Sequence, residues 1–170
     1  MSIAESLIAD MKQEGGMSRA VLQAVPADKY DWKPHEKSMS IGGLAGHIAE
    51  TPMWLGSMMA DVFDFDADMG DYKPFVPSDQ GELLAAFDEN LANAISLLEG
   101  KDDDFMIGAW KGVKGEKELM AGPRGVIARS ILVHHAAHHR GQLTVYLRLL
   151  GVAVPPTYGP TADFPSDDWE

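Results

Sequence analysis

I-L-V-H-H-A-A-H-H-R-G-Q, Ile131 to Gln142, holds four of the chain's six histidines. They form two interleaved pairs, His134 with His138 and His135 with His139. Residues four apart lie on one face of a helix, one turn above the other. Two imidazoles at that spacing can grip one divalent metal, as the histidines of an H-E-x-x-H helix do. The flanks predict a helix from Pro123, near its first turn, to Leu150, with Gly151 as its C′ glycine. Arg140 and Arg148 fall in its C-terminal part, where the helix dipole favours cations.

Helix phase separates the two pairs. The row Ile127, Ile131, His135, His139, Leu143, Tyr146, Leu150 is apolar at both ends. The row Val126, Ser130, His134, His138, Gln142, Val145, Leu149 is more mixed. The first row is therefore expected to look into a bundle, which turns His135 and His139 inward. His134 and His138 are expected beside the site, at a helix or subunit contact.

A third ligand must come from elsewhere, and His47 is the candidate. Ser40 opens a helix whose apolar positions Ile41, Leu44, Ile48, Leu55, Met58, Met59 and Val62 keep a helical period. His47 lies on that stripe. A lone histidine there reads first as a buried ring bonded to a carbonyl, because a buried polar group must be satisfied. Four histidines waiting on another helix favour a ligand. Glu50, one turn on, is a candidate acceptor for His47 or a general base, with a surface role as the plain alternative. Gln142 can serve His138 or His139 in the same supporting way.

Two further helices complete the bundle. Ser2 and Glu5 form a capping box for a helix ending before Pro26, weakened in its middle by Gly15-Gly16. Asp79 or Ser78 caps another running to about Glu99, with Leu83, Leu84, Phe87, Leu91, Ile95 and Leu98 on one side. Its Glu82, Asp88 and Glu89 read as a solvated face. Pro26 to Met39 is a connection whose Trp32 reads as a lid over the core. Asp64 to Ser78 is an acidic loop, and Phe105-Met106-Ile107 with Trp110 to Val113 is a candidate hairpin. The proline-rich tail from Val152 is expected to pack through Val154 and Tyr158 and to end in a solvated Asp167-Asp168-Trp169-Glu170. Trp54, Met58 and Trp32 are candidate pocket walls.

Composition sets the outer bounds. The 170 residues suit one domain, and 45% apolar with 24% charged residues is the globular range. A net charge of −12 argues against nucleic acid, which needs clustered Lys and Arg. No cysteine is present, so a metal site must use His, Asp, Glu and water, and any thiol nucleophile must arrive from outside. No signal peptide and no membrane-spanning run of about 18 apolar residues is read, so the expected compartment is the cytoplasm.

Three segments carry a resemblance: Trp32-Lys33-Pro34 followed by Ser40 to Ile48; His135 to Gln142 with its H-x-x-x-H-R-G-Q element; and Tyr146 to Gly151 continuing through Pro156 to Pro160. In that order they resemble the DinB/YfiT-like superfamily. The resemblance implies an all-α, up-down-down-up four-helix bundle with long connections and an irregular C-terminal tail, spanning 1–170 as one domain. It implies a metal centre of His47, His135 and His139, loaded with zinc or nickel, often in a homodimer. It further implies a transferase or isomerase in which the metal activates a low-molecular-weight thiol such as bacillithiol or mycothiol. The name refers to damage induction and implies no DNA chemistry.

Three functions follow as expectations. The first is a metal-dependent S-transferase joining a small thiol to a small-molecule electrophile. The second is a metal-dependent hydrolase with Glu50 as base. The third is a non-catalytic stress-response module that keeps a metal for stability or sensing. An open cleft at the histidines counts against the third.

Overall fold

A computed structural model describes residues 1–166; the expected acidic end at Asp167 to Glu170 lies outside the described residues. Helix α1 spans Ile3–Gln23 and starts in the expected capping box, Ser2 Oγ accepting from the Glu5 N–H at 3.1 Å. Helix α2 spans Ile41–Glu50, capped by Ser40. Helix α3 spans Gln80–Leu98, capped by Asp79. The fourth rod is continuous but composite: α5 (Arg124–Arg129), a π-helical turn (Ser130–His135), and α6 (Ala136–Leu149). The short helix Asp103–Ile107 becomes α4. Helices α1 and α2 each pack on α3 and on the fourth rod, so they sit diagonally across the bundle.

Local chemistry explains the departures from the expected helices. Gly15-Gly16 does not interrupt α1; a Cβ at Gly15 would stand 2.5 Å from Leu91 Cδ2, so the glycine lets α3 approach. Helix α2 stops at Glu50 instead of reaching Val62, because Pro52 lacks an N–H and crowds the preceding turn. The chain tightens into a 3-10 segment, Thr51–Met58, and Thr51 Oγ1 donates to the His47 carbonyl at 2.7 Å.

The all-α expectation needs amending, since a three-stranded sheet caps one end of the bundle. Strands β1 (Val62–Asp64), β2 (Ala109–Lys114) and β3 (Lys117–Pro123) lie in that order, β1 parallel to β2 and β2 antiparallel to β3. The expected hairpin is real but shifted. Phe105 to Ile107 is helical behind its Asp102 cap, and the pairing runs from Ala109↔Pro123 to Lys114↔Lys117. Gly115 turns the chain at φ +57°, a backbone region few other residues accept.

The face turned to the core also differs from the expected row. Along the fourth rod the buried positions are Arg124, Gly125, Ala128, Leu132, Ala136, Arg140, Leu143 and Leu147. Steps of four drift around an α-helix, but the wider π turn absorbs the drift and keeps Ala128, Leu132 and Ala136 aligned. The row holding His135 and His139 is therefore the flank of the buried face. Arg140, expected as a dipole partner, is 2% exposed. It donates to Glu14 Oε2 at 2.6 Å and to Ser18 Oγ at 3.1 Å, with the Tyr158 ring 5.0 Å away. Tyr158 also donates to Glu14 at 2.7 Å, and Val154 is buried, so the tail docks through the two residues expected. Asp88 is exposed, as expected, and takes Arg19 in a two-pronged surface pair at 2.8–3.1 Å. Trp32 covers the core edge-on to Tyr146, with ring centroids 5.7 Å apart.

Breaking a buried ion pair strands a charge. Arg140→Met is expected to cost about 3–5 kcal/mol in urea unfolding, whereas Glu14→Leu with Arg140→Met loses much less than the sum of the two single changes.

Candidate metal centre

His47 is carried by α2, three residues before its end at Glu50, and its carbonyl accepts the closing N–H of Thr51. Its position is set by a close backbone approach. A Cβ on the neighbouring Gly46 would stand 2.1 Å from the Phe75 carbonyl oxygen, so only glycine admits the loop there. Across the bundle, His135 ends the π turn and His139 lies one turn into α6.

The structure brings the three expected histidines together. One ring nitrogen from each of His47, His135 and His139 lies within 4.8 Å of the others. His47 Nε2 is 3.0 Å from His135 Nε2, and the ring centroids of the three pairs are 4.3–5.2 Å apart. Nitrogens bonded to one tetrahedral zinc at about 2.0–2.1 Å stand about 3.3 Å apart, so this cluster is of the right size. The donor set fits as well. Three lone-pair-bearing rings facing one point repel as cations and cannot all satisfy one another with protons.

The surrounding groups prepare the rings for this. Glu50 Oε1 is 3.2 Å from His47 Nδ1, and Gln142 Oε1 is 2.7 Å from His139 Nδ1. Each acceptor draws the N–H onto Nδ1 and leaves Nε2 free, as metal-bound histidines are usually braced. Burial of its ring and the neighbouring imidazoles of His139, His47 and His138 push the His135 pKa down to about 4. Burial likewise lowers His139 despite the bond from Gln142. Both rings are neutral, ligand-competent bases at neutral pH.

Glu50 takes the first of its expected roles, that of acceptor. It is 3% exposed and receives the Tyr72 hydroxyl at 2.6 Å and the Phe75 N–H at 3.0 Å as well as His47. Burial alone would raise its pKa, but the bonds from His47, Tyr72 and Phe75 outweigh that and hold it below the usual range. Tyr72 is pushed up in return by burial and by that carboxylate. Tyr72 and Phe75 are contributions that sequence reading missed; the only signal was their place in a loop rich in Pro and Asp.

An apolar cleft of about 270 Å³ opens on His47 and His135. Trp54, Phe65, Trp110, Met120 and Ile131 form its walls. Trp54 was expected there. Met58 was not found there, being fully buried in the core, and neither was Trp32. The sheet supplies walls that no periodicity announced. His138 is exposed, its ring centroid 4.9 Å from that of His139. His134, also exposed, borders a separate cleft with Ile3 and Arg129. His138 thus stands beside the cluster, while His134 faces that separate cleft.

A helical bundle with one histidine from its second helix and two from its fourth defines a class, that of bundle proteins with a site suited to a divalent metal. The chain belongs to the DinB family, whose model matches residues 1–168. Solved structures agree on the fold. A DinB-like protein from Bacillus cereus ATCC 10987 is 19% identical with a TM-score of 0.70, covering 91% of this chain and 97% of that one. A DinB-like protein from Bacillus subtilis is 18% identical at a TM-score of 0.69, with coverages of 90% and 97%. YfiT from Bacillus subtilis, described as a probable metal-dependent hydrolase with an unusual four-helix bundle topology, is 15% identical at 0.63, with coverages of 88% and 89%. No curated protein matches the chain. Among the described residues no helix is long and apolar enough to cross a membrane.

A ligand that binds only the native state raises the melting temperature. Added zinc is expected to raise the Tm of the wild type and of His134→Ala in a thermal scan, and to leave His135→Ala and His139→Ala unmoved. A shift lost in His134→Ala and kept in His135→Ala would place the metal on the other pair.

Proposed function

We propose that the protein is a divalent-metal-dependent enzyme of the small-thiol S-transferase type, with His47, His135 and His139 as the metal ligands. The observation that carries this reading is the three-histidine cluster open to an apolar cleft. A structural metal is usually closed by four protein ligands, whereas three leave a position for a reactant. A zinc or nickel ion held there would favour the deprotonated form of a thiol bound beside the cleft.

This chain's own residues favour a thiol over water as nucleophile. A hydroxide mechanism calls for a base beside the reactant, and the candidate Glu50 is committed to three donors on the Nδ1 side of His47. The cleft lining contains no carboxylate. A thiol of low pKa needs no such base, and with no cysteine in the chain the sulfur would come with a cosubstrate. The cleft would hold the electrophile, keep water away from it and present its reactive atom at the histidines.

Metal-dependent hydrolysis is the second reading, supported by what YfiT is described to be. The resemblance to the family further supports an up-down-down-up helix order and a homodimer, and the acidic sequence without a long apolar run supports a cytoplasmic protein without nucleic-acid or membrane partners.

Zinc- or nickel-loaded protein is expected to conjugate chlorodinitrobenzene only when a small thiol is supplied. In that reaction a C–S bond forms, chloride leaves with the C–Cl pair, and the thiol proton passes to solvent. His135→Ala is expected to abolish the enzyme-dependent rate. Turnover of an activated ester without thiol, unchanged when thiol is added, would favour the hydrolase reading instead.

A further inference from the structure

We infer that the cleft beside the histidines is a binding site for a flat, aromatic body of one or two rings without negative charge, and that it rejects ligands carrying an anionic group on that body. The inference rests on the reading of the histidine cluster as the reaction centre, and it names the class of small molecule that the centre acts on.

The walls carry the argument. Trp54, Phe65, Trp110, Met120 and Ile131 are all apolar and come from five different parts of the chain; besides the histidines, Ser57 is the one polar side chain of the lining. The polar atoms close by are already engaged. Trp110 Nε1 donates to the Ser57 carbonyl at 3.0 Å, and Ser57 Oγ donates to the Trp54 carbonyl at 2.7 Å. Glu50 faces the other side of His47. Lys111 follows Trp110 on β2 and so points to the opposite face of the sheet, where it borders a different cleft with Val62 and Gly108. Away from His47 and His135, no side chain lining the cleft can pair with a carboxylate or a phosphate, and a buried charge without a partner is costly, whereas the aromatic faces of Trp54, Phe65 and Trp110 attract a cation.

Shape adds flatness. Trp54 meets Phe63 edge-on with ring planes at 89°, and Phe63 meets Phe65 at 87°. This chain of edge-to-face contacts fixes Trp54 and Phe65 as rigid plates, the arrangement aromatic groups prefer. A volume of about 270 Å³ is at the small end for ligand sites, which suits one or two rings and not a long chain. Gly112 is part of the fit. A Cβ there would come within 3.0 Å of both Phe65 and Trp110, so the bare backbone of β2 lets the two rings close on the cleft.

The electrostatics outside reinforce the selection against anions. Asp64 and Asp66 flank Phe65 in the chain, and the whole protein carries −12. Lys114, the nearest cation on that edge, is drawn to Asp66 at 3.8 Å. An acidic ligand would meet like charge before it met the cleft.

The test is a calorimetric titration of the protein as purified, with its metal content measured on the same sample. The probes are naphthylmethanol, naphthalenesulfonate and naphthylmethylammonium, which share a ring system and differ in charge. Naphthylmethanol and naphthylmethylammonium are each expected to bind at least tenfold more tightly than naphthalenesulfonate. Met120→Lys, at a wall position exposed enough to accept the change, is expected to weaken naphthylmethanol and to make naphthalenesulfonate the better ligand. Equal or tighter binding of the sulfonate by the wild type, absence of binding by all three, or an unchanged preference in Met120→Lys would overturn the assignment. The expected preference in a sample that neither carries nor takes up metal would uphold the cleft while removing the metal reading. Metal at one per chain with the sulfonate preferred would do the reverse.

Discussion

The ion pair between Arg140 and Glu14 fixes the rotation of the fourth rod, and the site follows from that rotation. A guanidinium at 2% exposure is tolerable only where its donors are met, and Glu14, Ser18 and the Glu14 carbonyl meet them from α1. Turning α6 to satisfy Arg140 leaves its chain neighbour His139 on the flank. His135, one turn earlier, follows. The histidines therefore stand at the rim of the bundle, where a cleft can reach them, and not in its sealed interior. Tyr158 locks the same carboxylate from the tail, so the C-terminal segment takes part in holding that rotation.

The opposite side of the site is set by another chain of contacts. Gly46 lets the Phe75 backbone lie against α2, Phe75 N–H and the Tyr72 hydroxyl hold Glu50, and Glu50 holds His47. Each link is a short polar contact to an ionised, buried carboxylate, the kind that is strong in a low-dielectric setting. The long acidic loop between β1 and α3 thus has a structural task despite its composition. Pro52 has another: by ending α2 just after Glu50 it bends the chain, and the bend carries Trp54 to the cleft.

Much of this was legible in the residues. The caps at Ser2, Ser40 and Asp79, the glycine at 151 and the apolar periods gave the helices, because those signals act locally. The i, i+4 spacing and the apolar stripe around His47 picked out the three histidines that the fold brings together. Phase reasoning named the pair that the fold brings beside His47, but from an imperfect premise: the buried face of Ala128, Leu132, Ala136 and Arg140 lies one residue on from the apolar row, already so before the π turn, which keeps it aligned. Other features depended on contacts distant in sequence. The partner of Arg140 is 126 residues away, and the parallel pairing of β1 with β2 joins segments separated by two helices, α3 and α4. Nothing in the local sequence of either strand announces that pairing, and so the walls of the cleft stayed hidden.

The histidine cluster, the neutral rings of His135 and His139 and the braced Nδ1 atoms of His47 and His139 together make one claim, that a single divalent ion bridges α2 and the fourth rod. Elemental analysis of tag-free protein, compared with His47→Ala, tests it most directly. The account predicts about one zinc or nickel per wild-type chain and loss of that metal in the variant, with the helical fold retained. No metal in the wild type, even after reconstitution with both ions, would contradict it and leave the histidines as packing and surface residues.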